Sequence, residues 1–235
     1  MAKKRKESWK IMDNVFDEFT LNTVKKLITK GIIEGIKSPI MIGKEANVFT
    51  AVTKDMQVRI IKIYRLESCN FNKMYSYIIS DPRFMDVKNQ RRQVIFNWTK
   101  REFKNLSIAR KSQVNCPMPI AFLNHVIVME LIGNLEPAKQ LKNKYPIDID
   151  KFFNELIKNL KKLYKNGEIV HADLSEFNIL NHNDIPYLID FSQSTSIKDH
   201  ESINYLKRDI INLKRFFLKL NYEIDVDETI ERIIH

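Results

Sequence analysis

Polar side chains in the second half of the chain have the types and spacing of a phosphoryl-transfer site. His171 is followed by Asp173, Asn178 comes five residues after that aspartate, and Asp190 ends the apolar run 187–190. A phosphoryl donor needs Mg²⁺ or Mn²⁺, and these hard cations prefer carboxylate and amide oxygens as ligands. Asn178 and Asp190 therefore predict a metal site. Asp173 then accepts or orients the hydroxyl of the acceptor, and His171 is expected to support the loop.

Two charged residues in the first half of the chain lie on otherwise apolar stripes. Alternation in the predicted strand 58–64 places Lys62 in a row with Ile60 and Tyr64. Helical spacing in the predicted helix 92–110 places Glu102 on an apolar face. An isolated charge is costly to bury, so Lys62 and Glu102 could pair and direct the ammonium group toward a ligand. Taken alone, the two positions favour the alternative, in which either side chain snorkels to water, and the polar residues of the second half support the pairing.

The segment from Ile42 through Gly43 to Val48 lies between two strand-like runs. It offers one glycine and backbone N–H groups that can approach phosphate oxygens. A tight hairpin turn explains the same residues equally well.

The elements that must position these residues follow from hydrophobic periodicity and turn signals. The predicted elements are a helix over 21–28, a hairpin of 47–53 with 58–64, a long loop over 66–90 with one short helix, a helix over 92–110, a strand over 125–131, a helix that begins at Asp148 or Asp150 and ends at Asn166-Gly167, a strand over 187–190 and a helix over 201–220. Strands dominate the first half and helices the second. The sequence therefore predicts an α+β fold with two lobes.

Composition limits the class of protein. With 44% apolar and 29% charged residues the chain is expected to fold, and Cys69 and Cys116 are too few for a disulfide framework or a zinc site. No window resembles a membrane span, and the basic N-terminal residues 1–6 precede no apolar signal segment. We therefore expect a cytoplasmic protein with no membrane partner. The formal charge of +10 favours phosphate-bearing partners such as RNA, although solvated lysine-rich faces are common.

The chain resembles the RIO atypical protein kinases, in particular the type-one branch in its short archaeal form. The matching strings are Gly43-Lys-Glu-Ala-Asn-Val-Phe49, Ile61-Lys-Ile-Tyr64, Asp81-Pro-Arg-Phe84, Met129-Glu-Leu-Ile-Gly133, His171-Ala-Asp-Leu-Ser-Glu-Phe-Asn178 and Ile189-Asp-Phe-Ser-Gln-Ser194. The resemblance covers about residues 15–220. It implies a small bilobal kinase-like fold, with an N-terminal helical extension over 1–39, a sheet-containing N-lobe over 40–131 and a reduced helical C-lobe over 132–235.

The resemblance also implies the roles of individual residues. Lys62 would contact the α- and β-phosphates of ATP, and Glu102 would hold Lys62. Asp173 would be the catalytic aspartate, while Asn178 and Asp190 would bind Mg²⁺ or Mn²⁺. The remaining nucleotide-binding positions would be Gly43, Lys44, Glu45, Ala46 and Val48 in the phosphate loop, and Met129, Glu130 and Ile132 in the hinge.

The implied function is that of a serine kinase and ATPase which acts as a switch in maturation of the small ribosomal subunit. Its partners would be ribosomal RNA, ribosomal proteins and protein serine substrates, and the chain would act as a monomer. Asp190 would carry a transient phosphoryl group. Met41-Ile42 departs from the small polar residues usual before the glycine of this family, which puts side-chain contacts to phosphate there in question.

Residues after Asp190 predict mostly one helix and contain no Ala-Pro-Glu anchor, so we expect no activation segment. Two alternatives remain. One is another small phosphotransferase of the kinase fold. The aminoglycoside and choline enzymes, however, commonly have glycine and histidine where Ala172 and Ser175 stand. The small kinase of the tRNA threonylcarbamoylation complex lacks the Ser192-Gln193 pair. The other is a non-catalytic RNA-binding scaffold, which need not keep Lys62 and Asp173.

Overall fold

The computed structural model describes residues 16–79, 81, 83, 89–134 and 136–235. Contacts divide the chain into two compact units that alternate along the sequence. The first unit falls within Met1–Ser76, Val87–Lys100 and Pro119–Leu131, and the second within Tyr77–Asp86, Arg101–Met118 and Ile132–His235. The predicted boundaries of the three domains stay a prediction. The basic N-terminal residues 1–6 lie outside the described part of the chain.

A five-stranded antiparallel sheet forms most of the first unit, with its strands in the order β1-β2-β3-β5-β4. The strands are β1 Gly35–Ile42, β2 Ala46–Val52, β3 Val58–Tyr64, β4 Pro119–Leu123 and β5 Val126–Glu130. The predicted hairpin is confirmed, because β2 and β3 pair without a register shift from Ala46 opposite Tyr64 to Val52 opposite Val58.

Helix α1, Glu18–Thr29, packs on this sheet. It begins where the Asp17 carboxylate accepts a hydrogen bond from the Thr20 amide at 2.7 Å, as N-caps do. Its apolar side chains share one core with alternate residues of the sheet, namely Val24, Leu27, Phe49, Ala51, Ile61, Ile63, Val126 and Val128. Because successive side chains of a strand point to opposite faces, Lys62 lies on the face of β3 that is turned away from α1.

The second unit is mainly helical. Its helices and strands are α4 Ile149–Lys165, α5 Ser202–Leu218, α6 Val226–Ile234, β6 Lys139–Gln140, β7 Ile169–Val170, β8 Ile179–His182, β9 Ile185–Leu188 and β10 Thr195–Ser196. The N-cap of α4 is Asp148, whose carboxylate accepts from the Lys151 amide at 3.0 Å. Two further helices, α2 Phe71–Ile79 and α3 Arg91–Lys111, contribute residues to both units. The presence of a sheet-rich unit and a mainly helical unit confirms the predicted α+β class.

Several expectations from the sequence were wrong in detail. β1 begins at Gly35, within the segment 1–39 that was assigned to a helical extension, and β4 was not predicted. Both strands contain proline, which edge strands tolerate. The strand predicted to reach Asp190 ends at Leu188, and the region expected to hold mostly one helix also contains α6. Among the described residues, no helix is long and apolar enough to cross a membrane.

Candidate active site

The loop that follows β7 carries the predicted catalytic aspartate. Ala172 has a φ of +64°, a value that non-glycine residues rarely adopt and that recurs at functional sites. Nδ2 of Asn178 donates to the backbone oxygen of Asp173 at 2.7 Å and lies 3.5 Å from Asp173 Oδ2. Because these contacts use the amide nitrogen of Asn178, its side-chain oxygen is the atom suited to a metal ion.

The segment that carries Asp190 runs beside this loop. The Ile189 amide donates to the backbone oxygen of Asn178 at 3.0 Å. Asp190 has a φ of +63°, and its Oδ1 accepts from Ser192 Oγ at 2.8 Å. The backbone bond therefore brings the amide of Asn178 and the carboxylate of Asp190 onto adjacent segments. In the described part of the chain, no group of three or more His, Cys, Asp and Glu residues is arranged to hold a metal.

His171 supports the segment that leads to Asp190. The side chain is 1% exposed, its Nε2 donates to the Ile189 carbonyl at 3.0 Å, and its ring centroid lies 5.0 Å from that of Phe191. Burial lowers the pKa of His171 to about 4, although the Ile189 carbonyl and Asp190 favour the protonated form. The imidazole is therefore neutral at pH 7, and its predicted supporting role is confirmed.

Helix α5 holds the catalytic loop through a buried aspartate that the sequence analysis missed. Asp209 is 1% exposed. Its Oδ2 accepts from the Ala172 amide and its Oδ1 from the Leu174 amide, both at 2.9 Å. These two amides flank Asp173 in the chain, so Asp209 fixes the backbone on both sides of Asp173.

Neighbours of Asp209 on α5 add to this clamp. Arg208 donates from Nη2 to the Ala172 carbonyl, and Asn212 donates from Nδ2 to the Leu174 carbonyl at 3.2 Å. A signal was present in the sequence, because Asp209 lies at helical spacing from the apolar Leu206 and Leu213 and so interrupts their buried stripe.

Asp209 is expected to give the protein a distinct pH dependence. Burial raises its pKa from 3.8 to about 7, against the opposing effects of the Leu174 and Ala172 amides and of Arg208. Between these pH values the folded state binds a proton that the unfolded state has lost, so the free energy of unfolding falls as pH rises through this window. The Asp209→Asn variant cannot ionise and should lose this component. Urea unfolding of the wild type and the variant from pH 4 to pH 7 measures this pH dependence. Parallel profiles of unfolding free energy against pH would contradict the raised pKa of Asp209.

A buried network fixes the segment that follows Asp190. Asn105 donates from Nδ2 to the carbonyl oxygens of Phe191 at 3.0 Å and Ser194 at 2.8 Å. Arg101 is fully buried and donates from Nη2 to the Ser194 carbonyl at 3.1 Å. Nε of Arg101 also donates to Asp81 Oδ2 at 3.2 Å. The residues that follow the candidate metal ligand are thus tied to a buried ion pair.

Arg83 completes this network. It donates to both carboxylate oxygens of Asp81, at 2.9 and 2.6 Å, and to Asn105 Oδ1 at 2.9 Å. Burial favours protonation of Asp81, but Arg83 and Arg101 outweigh it and hold its pKa below the usual value. Burial lowers the pKa of Arg101 to about 10, so Arg101 remains a cation at neutral pH. Sequence patterns assigned Asp81 and Arg83 no role beyond the matching string 81–84, of which residues 82 and 84 lie outside the described residues, and assigned no role to Arg101.

In the first unit, the segment predicted to contact phosphate is a tight turn between β1 and β2. The Gly43 amide donates to the Ala46 carbonyl at 3.0 Å, and a Cβ at Gly43 would lie 2.7 Å from that oxygen. The turn therefore requires glycine. Met41 and Ile42 precede it with side chains that are 48% and 60% exposed.

Carbonyl groups of this turn bond to the segment after β3. The Lys44 carbonyl accepts from Ser68 Oγ at 2.8 Å, and the Glu45 carbonyl accepts from the Arg65 amide at 2.8 Å. In a trans peptide the N–H points opposite to the C=O. The Glu45 N–H is therefore directed away from Ser68.

Lys62 lies in the middle of the sheet, opposite Val48 of β2 and Ile127 of β5. The residue is 8% exposed, which argues against snorkelling, and its Nζ lies 4.9 Å from the centre of the Tyr64 ring. Met129, predicted for the hinge, is 8% exposed on the neighbouring strand β5.

Glu102 is buried at 2% exposure on α3, within a stripe whose other members are also buried, namely Ile95, Trp98, Leu106 and Ala109. The predicted stripe is confirmed. Lys62 and Glu130 belong to the first unit, whereas Glu102 and Ile132 belong to the second. The pairing of Lys62 with Glu102 and the hinge contacts to adenine stay predictions.

Comparison with known proteins identifies the family of the chain. The family model described as the RIO domain matches residues 47–229. A RIO-type serine/threonine-protein kinase Rio1 of Methanocaldococcus jannaschii is 40% identical over 220 residues, which cover 92% of this chain and 75% of that protein. The Rio1 of Haloferax volcanii is 32% identical over 232 residues, which cover 98% of this chain and 80% of that protein.

Solved structures show the same fold. The Rio2 kinase of Chaetomium thermophilum, in a complex with ADP, Mg²⁺ and phosphoaspartate, matches with a TM-score of 0.68 at 18% identity. The match covers 90% of this chain, and this chain spans 65% of that one. The family model matches most of the sequence, and the two archaeal relatives align with more than nine-tenths of this chain. The chain therefore belongs to the RIO family of serine/threonine-protein kinases.

Proposed function

We propose that the chain transfers the γ-phosphoryl group of ATP to a serine hydroxyl, with Mg²⁺ or Mn²⁺ as the metal. The observation that carries this proposal is the hydrogen-bonded arrangement of Asp173, Asn178 and Asp190 on adjacent backbone segments. Magnesium usually takes one or two carboxylates together with phosphate oxygens of the substrate. The oxygen donors of Asn178 and Asp190 fit that requirement, and a bound metal would neutralise charge on the phosphates.

In this proposal the chain's own residues position the acceptor and the leaving group. The serine oxygen forms a bond to the γ-phosphorus as the bond to the β-phosphate oxygen breaks, and the serine proton passes to Asp173. ADP is the leaving group. Asp209 and His171 act as positioning residues, because they contact the backbone on either side of the reacting groups rather than the substrate.

Lys62 is proposed to bind the ATP phosphates, with Glu102 as its partner. We expect Lys62→Ala to weaken ATP binding by about 1.5–3 kcal/mol, roughly 10–150-fold in Kd, as for loss of a hydrogen bond to a charged group. If Glu102 acts through Lys62, adding Glu102→Gln to Lys62→Ala should weaken binding little further. Isothermal titration calorimetry measures each affinity.

A matched control for this cycle is Lys54→Ala, which removes an exposed lysine from the turn between β2 and β3. This variant should bind ATP as the wild type does. Wild-type affinity in Lys62→Ala would contradict the phosphate contact. Fully additive losses in the double variant would contradict the pairing with Glu102.

We further propose that Asp190 carries the phosphoryl group transiently, and that ATP hydrolysis acts as a release switch on precursors of the small ribosomal subunit in the cytoplasm. A phosphoaspartate in the Rio2 neighbour supports the first part. The formal charge of +10 supports a ribonucleoprotein partner. Sedimentation with purified small ribosomal subunits tests the switch. If equal amounts of the protein sediment with the subunits in the presence of ATP, a non-hydrolysable analogue and ADP, the switch is contradicted.

A further inference from the structure

A groove beside the loop that carries Asp173 has no role in the proposed phosphoryl transfer. It encloses about 300 Å³ and is lined by Ser175, Glu176, Phe177, Asn212, Arg215, Phe216 and Lys219. We propose that this groove binds the substrate segment that carries the acceptor serine, and that it selects an acidic side chain close to that serine. The inference rests on the proposed transfer of phosphate to protein serine and deepens it by naming the class of substrate.

The need for such a surface follows from the short segment after Asp190. Protein kinases with an activation segment use it to dock peptides. Here residues 191–201, between Asp190 and α5, contain only the two-residue strand β10. The substrate must therefore bind elsewhere on the second unit.

The groove begins directly after the catalytic aspartate. Consecutive Cα atoms are at most about 3.8 Å apart, so Glu176 lies within roughly 11 Å of Asp173. Asn212, which lines the groove, donates to the Leu174 carbonyl at 3.2 Å, and this bond fixes the groove to the catalytic loop. An extended peptide advances about 3.3 Å per residue. If the acceptor serine of the substrate lies against Asp173, a substrate residue within about four positions of that serine therefore reaches the groove.

Charge defines which residue the groove accepts. Arg215 lies in the last turn of α5, and Lys219 is the C-cap residue four positions further along with a helical backbone conformation, so these two exposed cations lie about one turn apart on the same side. Glu176 is the one carboxylate among the lining residues, so the cations outnumber it. A guanidinium group binds a carboxylate through two parallel hydrogen bonds, which gives direction as well as affinity. The lining therefore favours a glutamate or aspartate side chain of the substrate.

An aromatic pair supplies the apolar part of the groove. Phe216 is 4% exposed, whereas Phe177 is 49% exposed. The backbone of Phe177 is held by Gln140, whose Nε2 donates to the Phe177 carbonyl at 2.7 Å, and the Lys142 ammonium lies 4.5 Å from the centre of the Phe177 ring. An exposed aromatic ring is suited to packing against a ligand. The stem of a substrate side chain can pack there while its charged end reaches Arg215.

A nucleic acid is the competing occupant, since exposed aromatics and cations also bind single strands. The peptide is favoured because the lining offers two cations beside one carboxylate, which suits a single acidic side chain, whereas a nucleic acid strand carries a negative charge at every nucleotide. The groove also adjoins Asp173, whose role is to act on a serine hydroxyl.

The test uses synthetic peptides with a single serine flanked by glutamate, glutamine or lysine. We expect the glutamate peptide to have a KM about tenfold or more below that of the glutamine peptide. The double variant Arg215→Glu/Lys219→Glu should abolish this preference, raising KM for the glutamate peptide at least tenfold while kcat and ATP hydrolysis without acceptor stay unchanged. The control Lys161→Glu/Lys214→Glu makes the same change in net charge at exposed lysines outside the groove and should retain the preference.

Every outcome of this experiment bears on the proposal. An unchanged KM in the groove variant, or an equal rise in the control, overturns it. Single-stranded poly(U) serves as the nucleic acid competitor. If poly(U) inhibits the wild type but not the groove variant, and the peptide KM is the same in both, the groove binds nucleic acid and the proposal is overturned. No transfer to any peptide would overturn the proposed function together with this inference, whereas transfer with an unchanged KM overturns the groove alone.

Discussion

Replacing Asp173 by asparagine is expected to lower kcat for phosphoryl transfer by roughly 10²–10⁴-fold while ATP affinity stays within about twofold, because general acid–base groups contribute on that scale. The substitution removes the group that orients the hydroxyl and accepts its proton. It preserves the loop, because the 2.7 Å bond from Asn178 goes to the backbone carbonyl of Asp173. Asp209 likewise bonds only to backbone amides of the neighbouring residues.

Initial rates of ADP release and calorimetric ATP titrations separate these two effects. Asp55→Asn is a suitable control, since it removes an exposed carboxylate from a turn of the first unit. Unchanged turnover in Asp173→Asn would contradict the catalytic assignment. A parallel loss of affinity and turnover would instead show that the loop had been disrupted.

The second large effect is expected for stability. Asp81→Asn should lower the free energy of unfolding by about 3–5 kcal/mol, the usual cost of breaking a buried ion pair by removing one partner. The cost arises at Arg101, which is fully buried and whose Nε donates to the Asp81 carboxylate at 3.2 Å. Urea unfolding of the variant and the wild type measures the loss.

A double variant distinguishes charge from packing in this network. Asp81→Asn combined with Arg101→Met leaves no uncompensated charge at Arg101, so much of the lost stability should return. Arg83 is less affected, because its side chain is 29% exposed and reaches water. As a control, Asp227→Asn breaks an exposed pair with Lys207 and should change stability by less than about 1 kcal/mol. A double variant no more stable than Asp81→Asn would contradict this account.

Local sequence patterns predicted the elements whose periodicity is undisturbed. Alternation in 58–64 placed Lys62 on one face of β3, and the structure buries it opposite Val48 and Ile127. Helical spacing placed Glu102 on the buried stripe of α3. These inferences succeed because period and burial are properties of a short stretch of chain.

Long-range contacts decided what the sequence did not reveal. The partners of Asp209 are amides more than thirty residues away, and Asp81 is buried by arginines from its own loop and from α3. The positive φ values of Ala172 and Asp190 could not be predicted either, because neither residue is a glycine. Strand β4 was missed because its proline obscures the alternation.

The central claim is that Asp173, Asn178 and Asp190 form a site that transfers the γ-phosphoryl group of ATP. The most direct test is a single-turnover incubation of excess protein with γ-labelled ATP and Mg²⁺, with and without a serine peptide. Without peptide, the account predicts free phosphate and a protein-bound label that hydroxylamine removes and that Asp190→Asn abolishes. With peptide, it predicts acid-stable phosphoserine. If ATP binds but its label is not transferred to water, protein or peptide, the claim that these three residues form a phosphoryl-transfer site is contradicted.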